Sequence, residues 1–287
     1  MAQLTRSCWA PPLLRWAGSK RKLLPLLLAN VPSQYDRYIE PFAGSACLFF
    51  ALRPKAAVLG DMNSELIRMY EIVRDHPRRV ARVLHQWDGT SEQYYSLRGI
   101  DPVSLDDVTR AARFLYLNRH CFNGVYRVNR KGRFNVPRGT RCGQIPTEQT
   151  IYRCSVALRN SRFVAADFEG CLKTIRRGDF VYLDPPYYST DRATHGEYGY
   201  GRFGPPDVGR LEDCLQRINQ AGATFLLSYA YGAKHGLDSS RWFSRRISVQ
   251  RHVAGFAMHR GVSQEVLVSN RPLVQPIEQD ANVSGRD

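Results

Sequence analysis

The apolar run Phe180-Val181-Tyr182-Leu183 is stopped by Asp184-Pro185-Pro186-Tyr187, and it constrains this chain more than any other stretch. A short apolar run between Gly178 and a proline reads as a buried strand of a mostly parallel sheet. Two consecutive prolines end the strand and fix the backbone beyond it. They leave a carboxylate, a carbonyl with no neighbouring N–H and an aromatic ring at the sheet's carboxyl edge, where α/β proteins bind ligands. Taken alone, the tetrad is equally compatible with a strand that ends in a proline turn. Partners elsewhere in the chain decide between the two readings.

Upstream, Leu13 to Lys20 reads as a short strand-like start, a glycine turn and a helix that runs to about Asn30. Tyr38-Ile39 leads into Glu40-Pro41-Phe42-Ala43-Gly44-Ser45-Ala46, then the helical Cys47 to Leu52 and the strand-like Ala56 to Leu59, which ends at Gly60-Asp61. This is a βαβ unit with a glycine in the turn after its first strand. From Ser64 a helical period takes over, at Leu66 to Val73, Val80 to Leu84 and Ala111 to Leu117. Strand signals resume at Arg162 to Ala165, Phe180 to Leu183 and Phe225 to Ser228, with a helix over Arg210 to Ala221. Ile247 to Val249 and Glu265 to Val268 suggest a closing hairpin. The expected architecture is an α/β sheet domain (1–62 and 151–275) interrupted by a helical, basic insertion (63–150), with a loose start and a disordered polar tail (276–287).

Of the 287 residues, 43% are hydrophobic, enough for a sizeable core. Lys and Arg number 41 against 26 Asp and Glu, a net charge of +15 that points to a polyanionic partner, nucleic acid first and a membrane surface second. Seven scattered cysteines show no C-x-x-C spacing, so they suggest neither zinc nor a disulfide framework, and reduced thiols in an intracellular protein are expected. Seven separated histidines add no ligand spacing, so no metal is expected. Lys20-Arg21-Lys22 followed by Leu23 to Ala29 mimics a signal peptide. It lies some twenty residues in, contains Pro25 and is too short to span a membrane, so a buried helix is expected.

Phe42-Ala43-Gly44 at a strand-to-helix turn allows close backbone approach to a ligand. Asp61, at the end of the next strand, stands where an acid takes ribose hydroxyls in nucleotide-binding folds. A dinucleotide fingerprint G-x-G-x-x-G is absent from this turn, and a glycine turn with an acid is a weak signal by itself. With Trp16-x-x-x-Lys20 ahead of it and Asp184-Pro-Pro-Tyr187 behind, the set resembles the Dam-type (D12 class) S-adenosylmethionine-dependent DNA adenine-N6 methyltransferases. The resemblance covers about residues 13 to 271, and is dense at Phe114 to Arg119, Asn123-Gly124 and Arg133 to Pro137. It implies a Rossmann-like methyltransferase sheet with helices on both faces, plus a helical insertion carrying a basic β-hairpin. Trp16, Lys20, Phe42, Gly44, Asp61 and Asp184 would then hold the cofactor S-adenosylmethionine, with Asp167 near its adenine. Two departures stand out. Ala46 and Ser19 replace glycines of the family pattern, and a slightly tighter pocket is expected from them.

The exocyclic amine of adenine is a poor nucleophile because its lone pair is delocalised into the ring. Two acceptors aimed at its hydrogens, the Asp184 carboxylate and the Pro185 carbonyl, would localise that pair, with Pro186 keeping the geometry rigid and Tyr187 stacking on the base. This is positioning and preorganised electrostatics. Inside a duplex the amine is out of reach, so the base must be flipped out.

Between Arg119 and Arg141 the chain carries seven Lys and Arg side chains and no acid, with Phe122, Tyr126 and Phe134 interleaved. Arg130-Lys131-Gly132 sits between two short extended stretches and reads as a hairpin turn. A basic hairpin can enter a major groove or simply hold phosphates. The resemblance places Phe122 and Asn123 near the flipped base, Arg127 on a base edge and Arg15 on DNA; Asn118, Arg130, Lys131, Arg133 and Pro137 complete the expected DNA surface. It suggests GATC as the target in double-stranded DNA, and a monomeric enzyme in the cytoplasm at the nucleoid. Methylation of RNA or single strands, and a silent DNA-binding regulator on the same fold, are the other readings. The glycine- and tyrosine-rich segment Asp191 to Phe203 reads as a lid over the base or as an ordinary loop.

Overall fold

The computed structural model describes residues 12–129, 131–186, 203–230, 240–250 and 262–275. Tyr187, Arg130, the segment 191–202, both chain ends and Cys8 lie outside the described residues.

Seven strands form one sheet in the order β3-β2-β1-β4-β5-β7-β6. They are β1 (Arg37–Glu40), β2 (Ala57–Asp61), β3 (Ser161–Ala165), β4 (Asp179–Leu183), β5 (Thr224–Ala230), β6 (Phe243–Gln250) and β7 (Val262–Ser269). The first five run parallel, and β6 and β7 close the sheet as an antiparallel pair beside β5. This is the Rossmann-like arrangement expected, with the strand order reversing between β1 and β4. That reversal opens a crevice at the carboxyl edge.

Side chains alternate across the strands, and the alternation sorts the core into two layers. Tyr38, Leu59, Phe180, Tyr182 and Leu226 pack on one face under α1 (Leu24–Ala29), α2 (Cys47–Leu52) and α3 (Ser64–Asp75). Ile39, Val58, Val181, Leu183, Phe225 and Leu227 pack on the other, under α8 (Phe168–Leu172) and α9 (Pro205–Gln220). Both faces are covered, which explains the unbroken apolar runs of β4 and β5.

The connection from β2 to β3 holds the insertion: α3, α4 (Pro77–Leu84), α5 (Ser91–Gly99), α6 (Asp107–His120) and α7 (Glu148–Leu158). Its helices begin at side-chain caps in four cases: Asn63, Thr90, Asp106 and Thr147 each accept from backbone N–H groups of the first turn. Asp101 likewise caps the short 3-10 turn Pro102–Ser104. The insertion shares one apolar core with the first sheet face. It is therefore docked on the sheet directly.

One expected element is absent. Leu13 and Leu14 form no strand; they bend into the apolar core shared by the insertion and the sheet, 0% and 4% exposed. The apolar stretch mistakable for a signal sequence is a 3-10 turn (Lys20–Leu23) leading into α1, whose Leu24 and Leu27 are buried. No helix among the described residues is long and apolar enough to cross a membrane.

Arg37 at the start of β1 makes a two-pronged pair with Asp179 at the start of β4, Nε to Oδ1 at 3.1 Å and NH2 to Oδ2 at 2.7 Å. Asp179 is 1% exposed, so replacing Arg37 with alanine strands a buried carboxylate. Such a loss costs about 3–5 kcal/mol. Urea denaturation should show Arg37→Ala shifted to a clearly lower midpoint, and an unchanged midpoint would contradict this role.

Candidate active site

Period-two alternation brings five polar groups to the same sheet face at its carboxyl edge: Glu40 ends β1, Asp61 ends β2, Tyr182 lies in β4, Asp184 just follows it and Ser228 lies in β5. The parallel register pairs Tyr182 with Leu226 and Leu183 with Leu227, so Asp184 falls beside Ser228.

Asp184 is the most tightly held. Its Oδ1 accepts from Ser228 Oγ at 2.8 Å and ion-pairs with Lys20 Nζ at 2.7 Å. Lys20 also donates to the Gly18 carbonyl at 3.1 Å and is itself buried. The Asp184 side chain keeps 20% of its surface exposed. Lys20, expected at the cofactor, is thus in contact with Asp184 in this structure.

Asp61 accepts the Gly44 N–H on Oδ2 at 3.0 Å and the Asn63 N–H on Oδ1 at 2.9 Å. Burial pushes its carboxyl up to about 6, against the pull of those two N–H groups. Gly44 has φ +46, and a Cβ there would stand 2.8 Å from Trp16 Nε1, so the Trp16 ring closes over this turn and excludes any side chain. The Gly44 carbonyl accepts from Tyr70 OH at 2.8 Å. Glycine turn, acid and tryptophan form one assembly.

The two departures from the family pattern differ in cost. Ser19 has φ −52, which any residue adopts. Ala46 has φ +49 and ψ +39, a left-handed conformation that costs a non-glycine residue about 1–2 kcal/mol. The difference lies in backbone strain at the start of α2.

Phe42 stacks on Phe168 with ring centroids 5.4 Å apart, and Phe203 meets both. Asp167 caps α8 through the Gly170 N–H at 3.0 Å, and its other oxygen pairs with Arg210. Burial opposes ionisation of Asp167, but Gly170 and Arg210 outweigh it and hold the carboxyl below the ordinary range. Arg210 also grips Glu169 and Asp207, which ties α8 to α9.

Sequence reasoning missed Glu40, Tyr182, Ser228 and Met62. Glu40 is 3% exposed, accepts from Tyr38 OH at 2.9 Å, and is pushed well above the usual carboxylate range by burial. Met62 is 53% exposed directly after Asp61. The available signal was polar residues ending apolar runs, and an exposed thioether beside an acid.

On the insertion, Phe122 to Gly124 form a 3-10 turn in which Asn123 has φ +53 and Gly124 φ +68. Phe122 is 37% exposed, with its N–H bonded to the Pro137 carbonyl at 2.9 Å. Val128 pairs antiparallel with Phe134, and Gly132 turns at φ +73, so the hairpin is present, held by isolated bridges. Arg127 donates from Nε to Asn135 Oδ1 at 2.9 Å across it. Arg133 pairs with Asp101 at 3.3 Å; Lys131 and Pro137 are exposed. Tyr126 stacks on Phe114 at 5.2 Å and on Trp16 at 6.1 Å, which couples the hairpin to the glycine turn.

Two residues expected on the DNA surface are structural in this conformation. Asn118 is 2% exposed, and its amide clamps the Arg15 backbone in both directions, accepting from Arg15 N at 2.9 Å and donating to Arg15 O at 2.7 Å. Arg15 NH1 donates to the carbonyls of Arg141 at 3.1 Å and Arg119 at 3.3 Å. Burial at the root of the hairpin uses these polar groups to satisfy backbone atoms. A cavity of about 240 Å³ lies between the hairpin and α6. Much of its charged lining is already engaged, Arg110 with Glu65, Arg133 with Asp101 and Arg113 with backbone carbonyls. Among the described residues no His, Cys, Asp and Glu cluster could hold a metal.

A Rossmann-like sheet with an acid ending β2, a glycine turn after β1 and a proline-locked acid after β4 is the arrangement that the resemblance to methyltransferases implies. The sequence model of the D12 class N6 adenine-specific DNA methyltransferases matches residues 16–254. This chain belongs to that family and is an adenine-specific DNA methyltransferase. It is 35% identical over 269 residues to the type II methyltransferase M1.LlaDCHI of Lactococcus lactis subsp. cremoris, covering 90% of this chain and 95% of that one. It is 32% identical to the type II methyltransferase M.MjaIII of Methanocaldococcus jannaschii, over 77% and 84% of the two chains. The DNA adenine methylase of Serratia marcescens is 38% identical over 61% of this chain and 66% of its own.

Proposed function

We propose that this enzyme flips an adenine out of double-stranded DNA and methylates its N6 with S-adenosylmethionine as donor, at GATC or a related short site. The observation that carries the reading is the anchored Asp184 carboxylate, part-exposed in the crevice that Asp61 and Gly44 also line.

The donor set fits the cofactor: an acid for ribose hydroxyls at Asp61, an exposed thioether at Met62 for an adenine face, and Phe42 on Phe168 as an apolar wall. Bound there, S-adenosylmethionine supplies an electrophilic methyl group on a sulfonium. The chain's own part is to hold the amine. Asp184 Oδ2 and the Pro185 carbonyl accept its two hydrogens, which directs the nitrogen lone pair outward. As positive charge grows on that nitrogen, the adjacent carboxylate stabilises it and then takes up the released proton.

Phe122, exposed on a strained turn, is the aromatic suited to fill the space of the flipped base, with Asn123 beside it. Arg127 uses Nε on Asn135 and keeps its terminal nitrogens for a guanine edge. Lys131 and Arg133 supply phosphate contacts. Arg127→Ala should lose about 1–3 kcal/mol of base discrimination while binding to unrelated duplexes changes little. Competition binding with single-base-changed duplexes measures this; an unchanged preference refutes the role. We place the enzyme as a monomer in the cytoplasm, associated with the nucleoid.

Plasmid DNA from an expressing host tests the whole reading. Cleavage by a nuclease that requires methylated adenine in GATC supports it. Resistance, together with methylation found only on RNA or single strands, supports the other nucleic-acid reading.

A further inference from the structure

We infer that Ser228, locked by Tyr182, is a positioning residue that fixes which oxygen of Asp184 receives the adenine amine. This rests on the reading of Asp184 as the amine's acceptor.

The argument begins with counting protons. Lys20 Nζ lies 2.7 Å from Asp184 Oδ1, so the carboxylate sits as the ionised partner of a cation. An ionised carboxylate only accepts, and the Ser228 hydroxyl at 2.8 Å from the same oxygen must donate to it. A hydroxyl has one hydrogen. The 3.2 Å contact between Tyr182 OH and Ser228 Oγ is therefore donated by the tyrosine. The result is a directional chain from Tyr182 through Ser228 to Asp184 Oδ1.

Burial makes this chain rigid. Ser228 is 0% and Tyr182 1% exposed, on adjacent parallel strands whose register sets the spacing. Water cannot replace either hydroxyl. Oδ1 is claimed twice, by Ser228 and Lys20, which assigns the amine to Oδ2. A carboxylate free to turn about χ2 would present its two oxygens interchangeably, and its lone pairs would meet the amine at varying angles. The Ser228 hydroxyl removes that freedom at the moment the amine must be aligned. Lys20 supplies charge without direction, because its three donors rotate. Ser228 supplies the direction.

Loss of one hydrogen bond to a charged group predicts that Ser228→Ala lowers kcat by about 10- to 100-fold. KM for duplex DNA and the calorimetric Kd for S-adenosylmethionine should stay within about threefold, since neither is made by this hydroxyl. Ser228→Thr, which keeps the donor, should recover most of kcat. Because Ser228→Ala also strands the Tyr182 hydroxyl in the core, stability is measured in parallel. The double variant Ser228→Ala with Tyr182→Phe removes both partners, so its melting temperature should recover while kcat remains low. A fluorescent 2-aminopurine at the target position should still report base flipping in Ser228→Ala.

A normal kcat in Ser228→Ala, or a kcat that recovers with stability in the double variant, overturns the inference. Asp184→Asn is run beside these. If it is inactive while Ser228→Ala is normal, only the positioning role fails. If Asp184→Asn itself turns over normally, the reading of Asp184 fails.

Discussion

Asp184→Ala will reduce methyl transfer by about a hundred- to a thousandfold, the scale of removing a preorganised group aimed at developing charge. Without the carboxylate the amine keeps its lone pair in the ring, and the nitrogen's growing positive charge has no compensation. The alanine variant is also expected to be less stable, because buried Lys20 loses its carboxylate partner and Ser228 its acceptor. Asp184→Asn separates the two effects. It preserves shape and can still accept from Ser228, yet lacks the charge. It should fold and bind DNA while remaining inactive in a radiolabelled-methyl assay. Turnover near the wild-type rate in the asparagine variant would remove Asp184 from the mechanism.

The second large effect is at Asp61. Its carboxyl is raised to about 6 by burial. A raised carboxylic pKa favours the folded chain below the ordinary carboxylate range, and that advantage is lost as pH rises through about 6. Ribose hydroxyls donate, so they bind the ionised form and repay the burial of its charge. Affinity for S-adenosylmethionine should therefore weaken by up to about tenfold per unit as pH falls below 6, and level off above it. Calorimetric titrations from pH 5 to 8 read this directly. Asp61→Ala should bind about 10- to 100-fold more weakly at neutral pH, having lost charge-assisted hydrogen bonds, and should show a flat profile. It also leaves the Gly44 and Asn63 N–H groups without their acceptor, so the glycine turn loosens with it. A wild-type affinity independent of pH across 6, or an alanine variant that binds as tightly, would contradict the assignment.

These two carboxylates were legible in the sequence because each follows a short apolar run. Burial on both faces makes such runs unbroken and conspicuous, and the prolines or glycine beside them mark the sheet edge. The βαβ unit was legible for the same reason, the helical insertion through its helical period, and the closing β6–β7 pair through its short extended runs. Contacts across the chain were not. The pairing of Lys20 with Asp184 depends on how the 3-10 turn docks against β4, and no local pattern encodes it. Ser228 looked like the polar end of a strand until register set it beside Asp184. Asn118 was expected on the DNA surface, whereas helix phase turns this amide inward onto the Arg15 backbone, a contact that no local pattern encodes. Leu13 and Leu14 carry a strand-like apolar pattern that tertiary packing used for plain core. Ala46 shows the reverse case: its departure from the glycine pattern was visible, but its left-handed backbone was not.

The central claim is that Asp184 presents an extrahelical adenine to a methyl donor. The most direct measurement incubates the enzyme with methyl-labelled S-adenosylmethionine and a duplex bearing one GATC, then digests the DNA and separates its nucleosides. Label confined to N6-methyladenine in the wild type, and absent with Asp184→Asn at equal DNA binding, is the predicted result. Label on any other base, or N6-methyladenine formed at the wild-type rate by Asp184→Asn, would contradict it.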